Sequence, residues 1–375
     1  MSAEVRAPRQ SRARFSSGPP VRGFLVAPAP RRRWPRRSPA ASPQALEDHY
    51  SPSRWSPRLD RDTIIDAHLA VTAAGENVRH RERGCARCHG PLLHRLQPPG
   101  TERARASAQT LLHVPYGSGD REKLDIYFPT DPSETFPALV YIHGGYWQCM
   151  SKDDSGFAAP PLVSQGVAVV AVGYDIAPEG HMDTMVLQVR RSLAFLAEQY
   201  PRIRGIYLCG HSAGAHLAAM VLSTDWTEFQ VVPDIKGAVL VSGVYDLEPI
   251  LHTYVNDALN MSREVAQRNS PMRHVPPAVP AACEVLVAVA QHDSPEFRRQ
   301  SQEYSQVTGW SVSLLDLAGV DHFDVIEKLS EDSYLLTQVG SRAVPRQITC
   351  QEVQGQGLFT GCSSSQVILN MISRA

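Results

Sequence analysis

The sequence predicts an α/β fold: an eight-stranded, mostly parallel sheet, doubly wound, with helices on both faces. Three observations predict it. From Leu111 almost to Gln338, short apolar runs alternate with amphipathic stretches, the pattern of parallel strands joined by right-handed crossovers. A Gly-x-Ser-x-Gly sequence, Gly210 to Gly214, falls between one such run and the helix-like stretch after it. The chain has 375 residues, 43% of them apolar, which is enough for one large core.

Residues 1–45 carry ten Arg, eight Pro and one acid, Glu4. Proline at that density blocks regular structure, and the sparse apolar residues do not offset the entropy of ordering, so this stretch reads as a disordered Arg/Pro-rich leader. Residues 46–338 read as the folded domain. Gln44 to about Asn77 has a helical pattern with Tyr50, Trp55, Leu59 and Ile64 as apolar anchors. Residues 79–102 read as an irregular basic insertion. Strands are expected at Leu111–Tyr116, Lys123–Phe128, Ala138–His143, Val167–Val172, Gly205–Cys209, Ala238–Ser242, Val285–Ala290 and Ser313–Leu317. Only Gly117-Ser118-Gly119-Asp120 separates the first two, which should pair as an antiparallel hairpin. Between the third and the eighth, a helix-like stretch separates each pair. After Gln338 the apolar period fails, and 339–375 reads as an atypical tail.

The formal net charge of −1 hides a split: residues 1–105 hold 20 basic and 9 acidic side chains, while 106–375 hold 17 and 29. A basic appendage on an acidic body results. The leader's aromatic residues are sparse and its prolines break any amphipathic helix, which argues against a nucleic-acid arm and against mitochondrial targeting. No run approaches 18 consecutive apolar residues, so no membrane-spanning helix is expected. Seven cysteines at irregular spacings, without a secretory signal, point to a reducing compartment. Cys85-Ala86-Arg87-Cys88-His89 matches a haem-attachment pattern, but an export route and an axial ligand are missing. A zinc site there would need His80 and His94, at irregular spacing. No cofactor or metal is expected.

The chemistry is concentrated elsewhere. Gly210-His211-Ser212-Ala213-Gly214 reads as a nucleophile elbow, a strained turn that lifts the Ser212 hydroxyl above the sheet. That hydroxyl needs a base, and the base needs an orienting carboxylate. In such a fold the chain order is Ser, acid, His. Two acids end strands after Ser212, namely Asp246 and Asp293. Asp293 is favoured because it follows the seventh strand, one before the strand that should deliver the histidine. Asp246 reads instead as the cap of the next helix, with Glu248 in its first turn. His322 is the only histidine between Asp293 and Ala375. Asp321 and Asp324 beside it read as helix caps, and His211 and His216 as local packing. Attack places negative charge on a carbonyl oxygen, which needs N–H donors already aimed at it. Ala213 supplies one, and Gly144 and Gly145, in His143-Gly144-Gly145-Tyr146-Trp147, supply the rest of an oxyanion hole.

These segments, with Tyr50-Ser51-Pro52-Ser53-Arg54-Trp55, closely resemble the kynurenine formamidase (arylformamidase) family of vertebrates. The likeness continues through Tyr174-Asp175-Ile176-Ala177-Pro178, through Val241 to Pro249 and through Asp293 to Phe297, and covers about 44–78 and 103–338. It implies an α/β-hydrolase fold and hydrolysis of N-formyl-L-kynurenine to L-kynurenine and formate, in tryptophan breakdown. It also implies a Ser212–Asp293–His322 triad without metal, a homodimer, and a cytoplasmic, also nuclear, location. Tyr146 and Trp147 are then candidates to stack on the anilide ring. The leader, the insertion and the tail depart from the family pattern, which continues its last helix where Gly340 interrupts this one. Two alternatives stand beside this reading. One is a carboxylesterase of the hormone-sensitive-lipase type, which shares the HGG loop and the elbow; the other is a catalytically impaired form acting as an interaction protein.

Overall fold

The structure, a computed structural model, describes residues 42–72, 100–130, 133–274, 283–307, 312–332, 334 and 336. The leader to residue 41, residues 79–99 of the expected insertion with Cys85, Cys88 and His89, and the tail 339–375 lie outside those residues; residues 100–102, expected within the irregular insertion, instead open a helix. Among the described residues eight strands are present: β1 (Thr110–Pro115), β2 (Lys123–Tyr127), β3 (Phe136–Ile142), β4 (Ala168–Val172), β5 (Ile203–His211), β6 (Ile235–Val241), β7 (Glu284–His292) and β8 (Val312–Asp321). They form one sheet in the order β1-β2-β4-β3-β5-β6-β7-β8. The β1–β2 hairpin is antiparallel, β2 meets β4 antiparallel, and every later pairing is parallel. Each expected strand exists, with ends shifted by a few residues.

The helices are α1 (Pro43–His49), α2 (Thr63–Thr72), α3 (Gly100–Ser107), α4 (Ala159–Val163), α5 (Met182–Gln199), α6 (Ala213–Leu222), α7 (Val255–Leu259), α8 (Arg263–Arg268), α9 (Pro295–Val307) and α10 (Asp324–Glu327). Parallel strands covered on both faces must be apolar throughout, and Ala168-Val169-Val170-Ala171-Val172 of β4 is buried at every position. Even side chains of β4 (Ala168, Val170, Val172) join one core and odd ones (Val169, Ala171) the other. Burying a valine in this way contributes roughly 2 kcal/mol. Helix α5 closes the first core with Met182, Met185, Val186, Val189, Leu193 and Leu196, spaced three and four apart on one face. At the sheet's edge, β1 carries a bulge at His113, whose φ is 57°, which interrupts the ladder an edge strand offers to other chains.

Two further expectations need correction. The stretch 44–77 is not one helical run. Pro52 and Pro57 cannot sit inside a helix, and the chain divides into α1, a 3₁₀ turn at Pro52–Arg54, and α2. Tyr50 and Ile64 are core residues, but Trp55 and Leu59 are 40% and 38% exposed. The folded region also begins inside the expected leader, because Ser42 Oγ caps α1 by accepting from Ala45 N at 3.2 Å and Pro43 opens the helix.

The layers meet most closely at Gly214, the second residue of α6. A Cβ built there would lie 2.0 Å from the Ile142 carbonyl oxygen at the end of β3. Gly214→Ala should therefore destabilise the fold by about 3 kcal/mol or more, read as a fall in urea midpoint; an unchanged midpoint would contradict this packing.

Candidate active site

Ser212 sits between β5 and α6 with φ 55° and ψ −118°, a conformation that costs an L-residue on the order of 1–3 kcal/mol. Its neighbours make the turn possible. A Cβ on Gly210 would come within 2.3 Å of the Gly214 carbonyl oxygen, so no larger residue fits the crossing. The Ser212 amide is held by the Val241 carbonyl at 2.8 Å, which fixes the elbow to the end of β6. Ala213 opens α6, where backbone N–H groups lack intrahelical partners and the helix dipole is positive.

His322 follows β8, and Asp293 follows β7. The His322 Nδ1 lies 3.0 and 2.9 Å from the two Asp293 carboxylate oxygens. A carboxylate accepts, so Nδ1 carries the proton and Nε2 is left bare to act as a base. Asp293 is itself oriented by the Ser294 N–H at 2.8 Å. Both residues are buried, as is Ser212. No Ser212 Oγ to His322 Nε2 hydrogen bond is formed among the described residues; such bonds often close only around a substrate. Asp246 stands apart in the role of a cap, accepting from the Glu248 N–H at 3.2 Å.

The loop after β3 turns through four left-handed residues: Gly145, Tyr146, Trp147 and Met150, with φ of 89°, 51°, 58° and 68°. Gly145 cannot be replaced, since a Cβ there would sit 2.3 Å from the Cys149 carbonyl oxygen. Gly144 packs against Ser212, its hypothetical Cβ being 3.2 Å from Ser212 Cβ. His143 Nδ1 donates to the Gly144 carbonyl at 3.0 Å, and Tyr174 stacks on its ring at 4.2 Å. A trans peptide directs its N–H opposite to its carbonyl, so this bond also orients the Gly145 N–H. Tyr146 is partly exposed, with its hydroxyl donated to the Tyr50 carbonyl at 2.6 Å. Trp147 has no exposed surface and packs edge-on against His216 at 5.1 Å. The left-handed run that presents the glycines also turns this indole under the loop.

The N-terminal segment supports the site in ways that apolar patterning does not reveal. Tyr50 donates to Glu296 at 2.8 Å and accepts from Gln300, both on α9 just after Asp293. Arg58 grips Asp321 through Nε at 2.8 Å and a terminal nitrogen at 3.1 Å, and also reaches Asp324 and Glu327. Ser56 donates to Asp321 at 2.6 Å, and His68 Nδ1 donates to Glu327 at 2.9 Å. Asp321 further accepts from the Phe323 and Asp324 amides, at 2.9 and 2.8 Å, so it caps α10 as expected. Although burial alone would raise its pKa, these bonds hold it well below the usual carboxylate range. His211 and His216 are fully enclosed, and burial lowers both pKa values, that of His216 to about 4. Away from the elbow, His113, Asp125 and Asp153 are close enough together to hold a cation. The Lys152 ammonium fills that place, at 2.7, 2.8 and 3.0 Å from them.

A family model described as BD-FAE matches residues 124–303. The chain is 53% identical to a kynurenine formamidase of Danio rerio over 303 residues, covering 80% of this chain and 95% of that one. It is 54% identical to a kynurenine formamidase of Salmo salar over 300 residues, covering 78% and 94%. A crystal structure of a candidate thioesterase from Silicibacter sp. is similar at a TM-score of 0.55 with 28% identity, covering 63% of this chain and 87% of that one.

Two predictions follow from the buried charges. Arg58→Ala leaves Asp321 buried without its cation and should lower stability by about 1–3 kcal/mol in urea unfolding. The buried imidazoles make stability depend on pH in the same direction as the Asp321 carboxyl. Their folded pKa values are depressed, so their contribution is complete above the unfolded value of about 6.5 and is lost as pH falls toward 4. Thermal melts should therefore drop between pH 7 and pH 5, and His216→Gln should flatten that slope.

Proposed function

Because the chain belongs to the kynurenine formamidase family, we propose that it hydrolyses N-formyl-L-kynurenine to L-kynurenine and formate, with Ser212, Asp293 and His322 as the triad. The observation that carries this reading is the pair of bonds from His322 Nδ1 to Asp293, together with the 2.8 Å bond that ties the His322 carbonyl to His211, the residue before the elbow serine. His322 Nε2 takes the proton as Ser212 Oγ attacks the formyl carbon. Charge collects on the formyl oxygen, where the amides of Gly144, Gly145 and Ala213 are the donors of this reading. His322 then passes its proton to the departing arylamine nitrogen, and the C–N bond breaks to leave formyl-Ser212. Water, activated by the same imidazole, attacks the ester and releases formate. The acyl substituent of a formyl group is only a hydrogen, so attack needs little room around its carbon. Tyr146 supplies the remaining aromatic surface of this reading, and Trp147 drops out.

A cytoplasmic and nuclear location and a homodimer belong to the same reading. Free thiols at Cys209 and Cys283 agree with a reducing compartment. Among the described residues no helix is long and apolar enough to cross a membrane.

The test is formate release from N-formyl-L-kynurenine by the purified chain. Ser212→Ala and His322→Ala should each lower kcat by about 10⁴-fold or more. Faster turnover of short p-nitrophenyl esters than of the formamide would favour the carboxylesterase alternative instead. A wild-type chain that fails to react with a fluorophosphonate would favour the impaired form.

A further inference from the structure

We propose that His211, the residue before the nucleophile, is a positioning residue for the reaction: it fixes the main chain that carries His322 and seats the oxyanion loop from the same ring. The inference rests on the triad reading above.

The His211 ring is buried between three parts of the site. Its Nε2 lies 2.8 Å from the backbone carbonyl oxygen of His322. A carbonyl only accepts, so Nε2 must carry the proton. His322 and His68 flank the ring, at centroid distances of 4.7 and 6.2 Å, and this enclosure keeps it neutral, which leaves Nδ1 bare. One tautomer therefore persists through the reaction. On its other side stands Gly144. A Cβ there would lie 2.9 Å from the His211 carbonyl oxygen and 3.3 Å from its Nδ1. The loop thus rests directly on this residue.

Catalysis by His322 needs two fixed points. Asp293 fixes the ring's tautomer and direction. Nothing in that bond fixes the pivot, the main chain at residue 322, which lies in a turn between β8 and α10. The His211 bond supplies the second point, from a residue that β5 and the elbow already hold rigid. Because His211 and Ser212 are adjacent in sequence, the base is referenced to the nucleophile's own backbone. A displacement of about 1 Å in such a pair costs on the order of 10²-fold in rate. An apolar side chain of equal size would fill the space and leave the buried His322 carbonyl without a donor.

The experiment compares His211→Phe, His211→Asn and His211→Gln in the full chain, measuring kcat and KM for formate release and the rate of fluorophosphonate labelling, with thermal melts as the folding control. Glutamine reaches the position of Nε2 with an N–H; asparagine is too short, and phenylalanine has no donor. His211→Phe and His211→Asn should each lower kcat and labelling by about 10- to 100-fold with KM changed less than about threefold, and His211→Gln should recover most of the loss. If His211→Phe does not fold, the asparagine and glutamine pair decides the matter. The proposal is overturned if His211→Phe and His211→Asn keep kcat within about threefold of wild type. It is equally overturned if glutamine is no better than asparagine, or if the loss falls on KM alone. Ser212→Ala serves as the reference: activity surviving in that variant would sink the triad itself, independently of His211.

Discussion

The contact on which the rest of the structure depends is the crossing of two backbones beneath Ser212. Helix α6 starts so close to the end of β3 that Gly214 touches the Ile142 carbonyl oxygen, and Gly210 touches Gly214. Any side chain at either place would push the helix off the sheet and lower the serine into it. The left-handed conformation of Ser212 is held because strand, helix and the neighbouring β6 leave it no alternative. The proposed site is built around that fixed point: Gly144 rests against Ser212, His211 reaches the His322 carbonyl, and Asp293 accepts from the His322 ring.

Much of this was legible in the sequence because it is written in local patterns. Strands buried on two faces are apolar runs, and glycines at a crossing appear as Gly-x-Ser-x-Gly. Chain order then limited the histidine to His322. Less was legible where the governing contacts are long-range and polar. Arg58 and Asp321 are 263 positions apart, and neither belongs to an apolar period. The same blindness affected aromatic residues. Trp55 and Trp147 look alike as letters, yet one is open to solvent and the other completely enclosed. What separates them is backbone direction: Pro52 and Pro57 turn the first away from the core, and a left-handed turn drives the second under its own loop. Neither proline breaks nor positive φ at non-glycine residues can be converted into a side-chain direction without the neighbouring layers.

The site is also unusually rich in buried polar groups for a region that needs rigidity. Asp321, Asp293, Glu327, His68, His211, His216 and His322 are all buried, and ion pairs or hydrogen bonds join them to chain segments from both ends of the domain. Such groups add little net stability, because desolvation opposes their attraction. Their value lies in geometry: a satisfied polar network admits fewer arrangements than an apolar contact of the same area.

The support given by Ser56, Arg58 and His68 to the turn around His322 has a consequence for how the molecule is made. These residues leave the ribosome early, and Asp321 to Glu327 leave it about 260 residues later. At 5–20 residues per second the interval is roughly ten to fifty seconds. For about its last 110 residues the nascent chain already carries Ser212 and the glycines Gly144 and Gly145, with His322 still to be made. Hydrolytic competence arrives only when the last strand docks, so the order of synthesis itself delays activity until the domain is complete.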